Sequence, residues 1–352
     1  MNKIELASRL PLYYAERKMG LNSIMPINLT LALTNKCNSR CLTCRKYEME
    51  SGRELTPEEW AKIFSHLSMF WVTFTGGEPF LYKDITEVYW HLVNLSHPAI
   101  VNIPTNGLLE DRVVSKVWEM ANMDKSVQLI VNVSLDHWMP YSNDQIRGVK
   151  GYFQKATNTL KLLQKLDCEN LTVGIHTVIS KYNVKSIEMI AENLSGLLTN
   201  KSHYITEVAE NRVELGTIGL DITPEASDYK KAIDSIDKDK SLIQSMRNVY
   251  YKRVVGLLSG NKRYVPCFAG YMSGQITAEG NVWHCCIQGK SIGNLRDYDY
   301  NMEHVWNNHQ SWLLRKENKE CVCPMANAGY TNSLLHLPTM IKVAGNMVRE
   351  LV

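Results

Sequence analysis

Six short apolar segments punctuate the chain up to residue 208, each separated from the next by a stretch of helical character. They are Asn28–Thr34 (NLTLALT), Trp71–Thr75 (WVTFT), Ile100–Pro104 (IVNIP), Leu129–Leu135 (LIVNVSL), Leu171–Ile179 (LTVGIHTVI) and roughly Tyr204–Val208. They are rich in Val, Ile and Thr and mostly apolar on both faces, as parallel strands covered by helices must be. Their starts lie about 30–45 residues apart, the length of a βα repeat. The intervening stretches carry helix signals. Thr56-Pro57-Glu58-Glu59 supplies an N-cap, a proline at the first helical position and a glutamate three residues after the cap. Trp60, Ile63, Phe64 and Leu67 follow at i, i+3, i+4 and i+7, and Phe153, Ala156, Leu160 and Leu163 stripe another helix. Six units predict an α/β fold, an open partial (β/α)6 TIM-like barrel rather than a closed eightfold one.

After Asp221 the pattern changes. Residues 222–262 are charged and helical in character, whereas 263–330 read as short strands and turns holding five cysteines. The predicted division is an N-terminal extension (1–25), the barrel (26–221), a helical linker (222–262), a small C-terminal cysteine-rich subdomain (263–330) and a C-terminal amphipathic helix (331–352) packed on the barrel. A chain of 352 residues can bury a large core without disulfides. Its 39 basic and 36 acidic residues leave a net charge of +3, without the footprint of a dedicated nucleic-acid binder. No apolar run is long enough to span a membrane. The first twenty residues lack a secretory apolar stretch, so a cytoplasmic location is expected. The nine cysteines then read as metal-binding or catalytic thiols rather than as structural disulfides.

Three of them form Cys37-x3-Cys41-x2-Cys44, directly after the first strand, at the barrel end where active sites sit. Three thiolates on one tight loop can hold three irons of a [4Fe–4S] cube and leave the fourth iron open to a small molecule, as an open coordination position does in a catalytic zinc site. A zinc site completed from elsewhere, in a zinc-stabilised binding protein, is the alternative. Further motifs close the following strands: Gly76-Gly77-Glu78-Pro79, Thr105-Asn106-Gly107, and Ser134-Leu135-Asp136 with Asp144-Gln145-Ile146-Arg147-Gly148.

The triplet after strand one of a βα array, with GGEP, resembles the radical S-adenosylmethionine (SAM) superfamily. The resemblance implies that the open iron chelates the amino and carboxylate groups of SAM. Cleavage of SAM then gives a 5′-deoxyadenosyl radical that abstracts a substrate hydrogen, with electrons from a donor such as flavodoxin or ferredoxin. It implies that Gly76, Gly77 and Glu78 bind the SAM amino group and that Asn106 hydrogen-bonds SAM or adopts a turn. Ser134 and Arg147 would contact the ribose or carboxylate, and Val178 and Ile179 would lie near the adenine. VSLD…DQIRG is similar to the corresponding segment of SPASM-type members, with His137 in place of a glycine and Asn143 where a histidine is frequent. Arg147 reads otherwise as a surface ion pair, and His176 is a candidate pocket residue whose default reading is a satisfied core histidine.

The C-terminal block, Cys267-x17-Cys285-Cys286 and Cys321-x1-Cys323, resembles the auxiliary iron–sulfur module called SPASM, or twitch in its short form. Five cysteines allow one auxiliary [4Fe–4S] cluster, on Cys267, Cys285, Cys321 and Cys323. A zinc tetrad is the alternative. Cys285 and Cys286 are expected as neighbours on a strand, facing opposite ways. Cys286 is then a packing thiol or a hydrogen-atom donor, and Cys168 is structural.

The resemblance leaves three reactions open: oxidation of a small polar substrate, epimerisation with a cysteine donor, or cross-linking of a ribosomal peptide. Only 36 residues precede the first cysteine, too few for a peptide-recognition domain of about 80 residues. A small molecule such as a sugar or aminocyclitol is therefore the expected substrate, and dehydrogenation the expected reaction. Glu207, Glu210, Asn211, Arg212 and Glu214 read as a solvated face. Their alternative role is to bind hydroxyls or amines at the barrel mouth, with Glu207 a candidate catalytic group.

Overall fold

The six apolar segments pair side by side into one parallel sheet in the computed structural model, which describes residues 3–21, 23–236, 242–263, 265–317 and 321–336. They are β1 (Asn28–Thr34), β2 (Trp71–Gly76), β3 (Ile100–Thr105), β4 (Gln128–Ser134), β5 (Leu171–Ile179) and β6 (Tyr204–Val208). Helices α1 (Lys3–Met19), α2 (Pro57–Phe64), α3 (Ile85–Ser96), α4 (Glu110–Met123), α5 (Pro140–Arg147), α6 (Tyr152–Leu163) and α7 (Ile187–Ser195) precede or alternate with the strands. α2 starts as its sequence predicts. Thr56 Oγ1 accepts from the Glu59 amide while Glu59 accepts from the Thr56 amide. Trp60, Ile63, Phe64 and Leu67 are buried against the sheet.

The cysteine-rich region is not a separate body. β7 (Ser273–Ile276) pairs with β1 in parallel register, Asn28 opposite Ser273 and Leu31 opposite Ile276. β8 (Asn281–Trp283) and β9 (Ser291–Asn294) then extend the same sheet in antiparallel fashion. The order is β6-β5-β4-β3-β2-β1-β7-β8-β9, so the expected subdomain is built onto the open edge of the barrel. The linker folds as α8 (Ala226–Ile236) and α9 (Leu242–Leu258), and α10 (Met302–Trp306), α11 (His309–Glu317) and α12 (Ala326–Leu334) follow the last strand. The N-terminal extension is largely α1, whose Tyr13 packs with Ile27, Phe268, Tyr271 and Met272. The expected C-terminal helix falls mainly on residues 337–352, outside the described residues. Among the described residues, no helix is long and apolar enough to cross a membrane.

One buried carboxylate ties the barrel to the added strands. Glu59 takes Arg296 Nε at 2.7 Å and Nη2 at 2.9 Å, and Tyr300 OH at 2.8 Å. Those bonds, Arg296 foremost, hold its carboxyl down from 4.5 to about 2. A carboxyl depressed in the folded state contributes stability that is complete above its unfolded value and drains away as pH falls through the folded one. Urea midpoints measured from about pH 5 down to about pH 2.5 should therefore fall more steeply in wild type than in Arg296→Ala. Parallel acid slopes in the two proteins would remove Glu59 as the cause.

Candidate active site

Residues 35–45 leave β1 as a loop pinned from three sides. Gly77 and Glu78 amides donate to the carbonyls of Thr34 (2.7 Å) and Lys36 (2.8 Å). Arg40 and Leu42 amides donate to the carbonyls of Arg147 (3.1 Å) and Ile146 (2.8 Å), at the end of α5. The Arg45 amide donates to the Leu215 carbonyl at 2.8 Å. The loop therefore projects Cys37, Cys41 and Cys44 into one cavity of about 220 Å3, walled also by the ends of β2 to β6 and by the chain after β6. Burial, then the neighbouring thiols, pushes Cys44 up to about 12; burial likewise pushes Cys37 up to about 11.

Gly76, Gly77, Glu78 and Asn106 all line this cavity, and each also has a partner within the protein. Glu78 is wholly buried, and its carboxylate accepts from Thr105 Oγ1 (2.9 Å), Asn106 N (2.7 Å) and Phe80 N (3.3 Å). It stitches β2 to β3, with its lone pairs directed at protein donors. Burial raises its carboxyl to about 7. The paired glycines serve close approach between backbones, because Gly76 and Gly77 press on Thr34 and Lys36. Asn106 adopts the turn and also joins the cysteine loop, its Nδ2 donating to Asn38 Oδ1 at 2.6 Å. Val178 lines the cavity, but Ile179, one residue on, faces the core. Ser134 lines the cavity.

Arg147 is buried rather than superficial. Its Nε lies 2.8 Å from Asp136 Oδ2, its Nη1 reaches within 3.9 Å of Cys41 Sγ, and its Nη2 has no hydrogen-bond partner among the described residues. His176 is a wall residue with Nε2 3.7 Å from Glu207. The charged run after β6 is likewise interior. Arg212 Nη2 sits 2.9 Å from Glu210 and 3.8 Å from Glu207, and Glu214 accepts from Gln275 at 2.9 Å. Burial raises the Glu210 carboxyl to about 8. Burial would raise Glu207 too, but His176 and Arg212 outweigh it and hold that carboxyl below its ordinary value.

This run also joins the two cysteine regions. The Lys46 ammonium, buried beside the loop, donates to the Glu214 carbonyl, and Val213 and Glu214 amides donate to the carbonyls of Ile287 and Cys286. Cys285 and Cys286 lie in a turn after β8 rather than on a strand. Cys267 and Cys285 pack together, and Cys286 packs with Cys323, Cys321 and Met325. The Cys286 thiol donates to Met325 Sδ at 2.9 Å. Cys168 is remote, half-buried against the core.

Both sets offer only soft sulfur at their centres, which fits iron–sulfur clusters. Among the described residues no three His, Cys, Asp or Glu converge on a single-ion position; the first three thiols line one cavity.

The model of the radical SAM superfamily matches residues 31–194, and that of an iron–sulfur cluster-binding domain, SPASM, matches 267–325. The sporulation killing factor maturation protein SkfB of Bacillus subtilis is 27% identical over 86% of this chain and 70% of its own length. The antilisterial bacteriocin subtilosin biosynthesis protein AlbA, also of B. subtilis, is 27% identical over 86% of this chain and 66% of its own length. Streptococcus suis SuiB has been solved bound to S-adenosylmethionine and bound to its precursor peptide SuiA. These structures superpose with TM-scores of 0.63 and 0.62 at 16% identity, over 87% and 90% of this chain and 71% and 72% of theirs. At that identity the likeness shows a shared fold.

Proposed function

Since the chain carries a radical SAM domain and a C-terminal SPASM iron–sulfur cluster-binding domain, we propose that it is a maturase that modifies a ribosomal precursor peptide. The observation that carries this reading is the alignment of 86% of the chain with a maturation protein and with a bacteriocin biosynthesis protein. It displaces the sugar or aminocyclitol expected from the short stretch before Cys37.

Cys37, Cys41 and Cys44 would hold the SAM-binding cluster, and Cys267, Cys285, Cys321 and Cys323 the auxiliary one. Bound there, the first cluster and SAM supply reductive cleavage of SAM and abstraction of a substrate hydrogen atom. The protein's own groups orient and shield. Arg147 places a fixed positive charge beside Cys41, and its free Nη2 is suited to an acceptor of SAM. The Glu207–Arg212–Glu210 array presents polar groups to a peptide backbone. Glu210 Oε1 accepts from Arg212 Nε at 3.0 Å, and its Oε2, buried without a hydrogen-bond partner among the described residues, is left for a polar group of the substrate.

Synthetic precursor peptides encoded beside the gene, incubated with the anaerobically reconstituted chain, SAM and dithionite, test the reading. One peptide should stimulate 5′-deoxyadenosine formation and lose the mass of two hydrogens as a cross-link forms. Stimulation by an aminocyclitol, with every such peptide inert, would overturn it. Cys286, whose carbonyl takes the Glu214 amide in the run after β6, supports a second reading, epimerisation with its thiol as the hydrogen-atom donor. In deuterated water that reaction leaves the peptide with one deuterium, and Cys286→Ala abolishes the label.

A further inference from the structure

The last cysteine pair is separated by one residue, so Cys321 and Cys323 lie on one short irregular segment ahead of α12. A cation holds that segment. Arg263 Nε donates to the Cys321 carbonyl at 3.0 Å, and Nη2 donates to the Cys323 carbonyl at 2.7 Å. The same Nη2 lies 3.3 Å from Cys323 Sγ. A guanidinium can do this because its donors are fixed in a planar fork, whereas an ammonium offers a single point of charge. The other side of Arg263 opens on a separate cavity of about 160 Å3 at the end of α9, with Lys252, Asn261 and Lys262 on its wall. A smaller side chain there can be accommodated without collapse of the core.

We infer that Arg263 is the positioning residue of the auxiliary iron–sulfur site: it clamps the Cys321-x-Cys323 segment and, by N–H···S donation to Cys323, favours the reduced cluster. The inference rests on the reading that these cysteines hold that cluster. Reduction adds negative charge to a cluster, and hydrogen bonds to its sulfurs raise the potential. Charge-assisted donation from an arginine is the strong form of such a bond.

The test removes the first site by Cys37→Ala, Cys41→Ala and Cys44→Ala together in the full chain. After anaerobic reconstitution this parent should hold about four irons. Arg263→Gln and Arg263→Lys are then compared with it by iron and sulfide content and by a redox titration followed by electron paramagnetic resonance. Arg263→Gln should lower the reduction equilibrium about tenfold, which is about 59 mV more negative for one electron. Arg263→Lys should keep its iron and fall between the two. If Arg263→Gln loses its iron, the clamp is supported and Arg263→Lys carries the potential measurement. A potential in Arg263→Lys equal to that of the parent overturns the tuning of the cluster, and an Arg263→Gln variant with full iron at the parent's potential overturns the inference whole. A parent that binds no iron refutes the auxiliary-cluster reading instead.

Discussion

Gly77→Ala is expected to cost about 3 kcal/mol of folding stability and to halve the iron content, by unseating the first cysteine loop. A Cβ at this position would fall inside the van der Waals envelope of the Lys36 carbonyl oxygen, 2.5 Å from the Lys36 carbonyl carbon and 2.7 Å from the Asn35 carbonyl oxygen. All of these are backbone atoms, which cannot rotate aside, and Lys36 immediately precedes the first thiol. The Gly77 amide donates to Thr34 and the Glu78 amide to Lys36, so any retreat of the loop breaks bonds that hold it. Iron should drop from about eight to about four per chain, the loss confined to the triplet. Gly256→Ala is the control. A Cβ there meets nothing closer than 3.5 Å, and alanine in a helix is favoured by about 1 kcal/mol. A Gly77→Ala protein that melts like wild type with full iron would show that the glycine pair exists for a ligand rather than for the loop.

That result bears on what the sequence discloses. The six strands were legible because their apolar, β-branched runs are local, and the cysteine triplet because its spacing is local. Roles that depend on partners far along the chain were hidden. Glu207, Glu210 and Arg212 look like any solvated charge run, and are interior because the chain after β6 is held between Arg45 on one side and Cys286 and Ile287 on the other. Ser273–Ile276 (SGQI) is poor in strand-forming residues, and becomes a strand because β1 offers it an open edge. His176 reads first as core because its strand is mostly apolar, but its pleat position turns it to the cavity. Glu78 shows the converse. Its motif marks the site correctly, yet the carboxylate is directed at the end of β3, which no pattern of spacing reveals. Arg263 went unnoticed for the same reason, since nothing near it in the sequence announces that it faces cysteines 58 and 60 positions away.

Removing the charge of Arg147 should be the most damaging substitution of a side chain at the site: Arg147→Leu is expected to destabilise the fold by about 3–5 kcal/mol. Asp136 is fully buried, and Arg147, itself 9% exposed, lies beside it at 2.8 Å. Burial alone would lower the Arg147 guanidinium, yet the Asp136 carboxylate more than compensates and holds it above its ordinary value. Without the arginine, Asp136 must either bear an unpaired charge in the interior or take up a proton. Asp136 cannot withdraw, because Oδ1 accepts from the Val178 amide at 2.8 Å, and its backbone is fixed by Asn143 and Asn183. The geometry therefore predicts a rescue. Asp136→Asn keeps an oxygen for Val178 and removes the charge, so the Asp136→Asn, Arg147→Leu double variant should be more stable than Arg147→Leu alone. Urea denaturation of the two single variants and the double gives the coupling directly. If the double variant loses the full sum of the single costs, the pair does not act as a unit. The contact of Arg147 with Cys41, 3.9 Å away, would then be its principal role. Should the rescued fold still take up iron at the triplet but fail to cleave SAM, stability and chemistry at Arg147 separate, and the free Nη2 is left as the group that SAM requires.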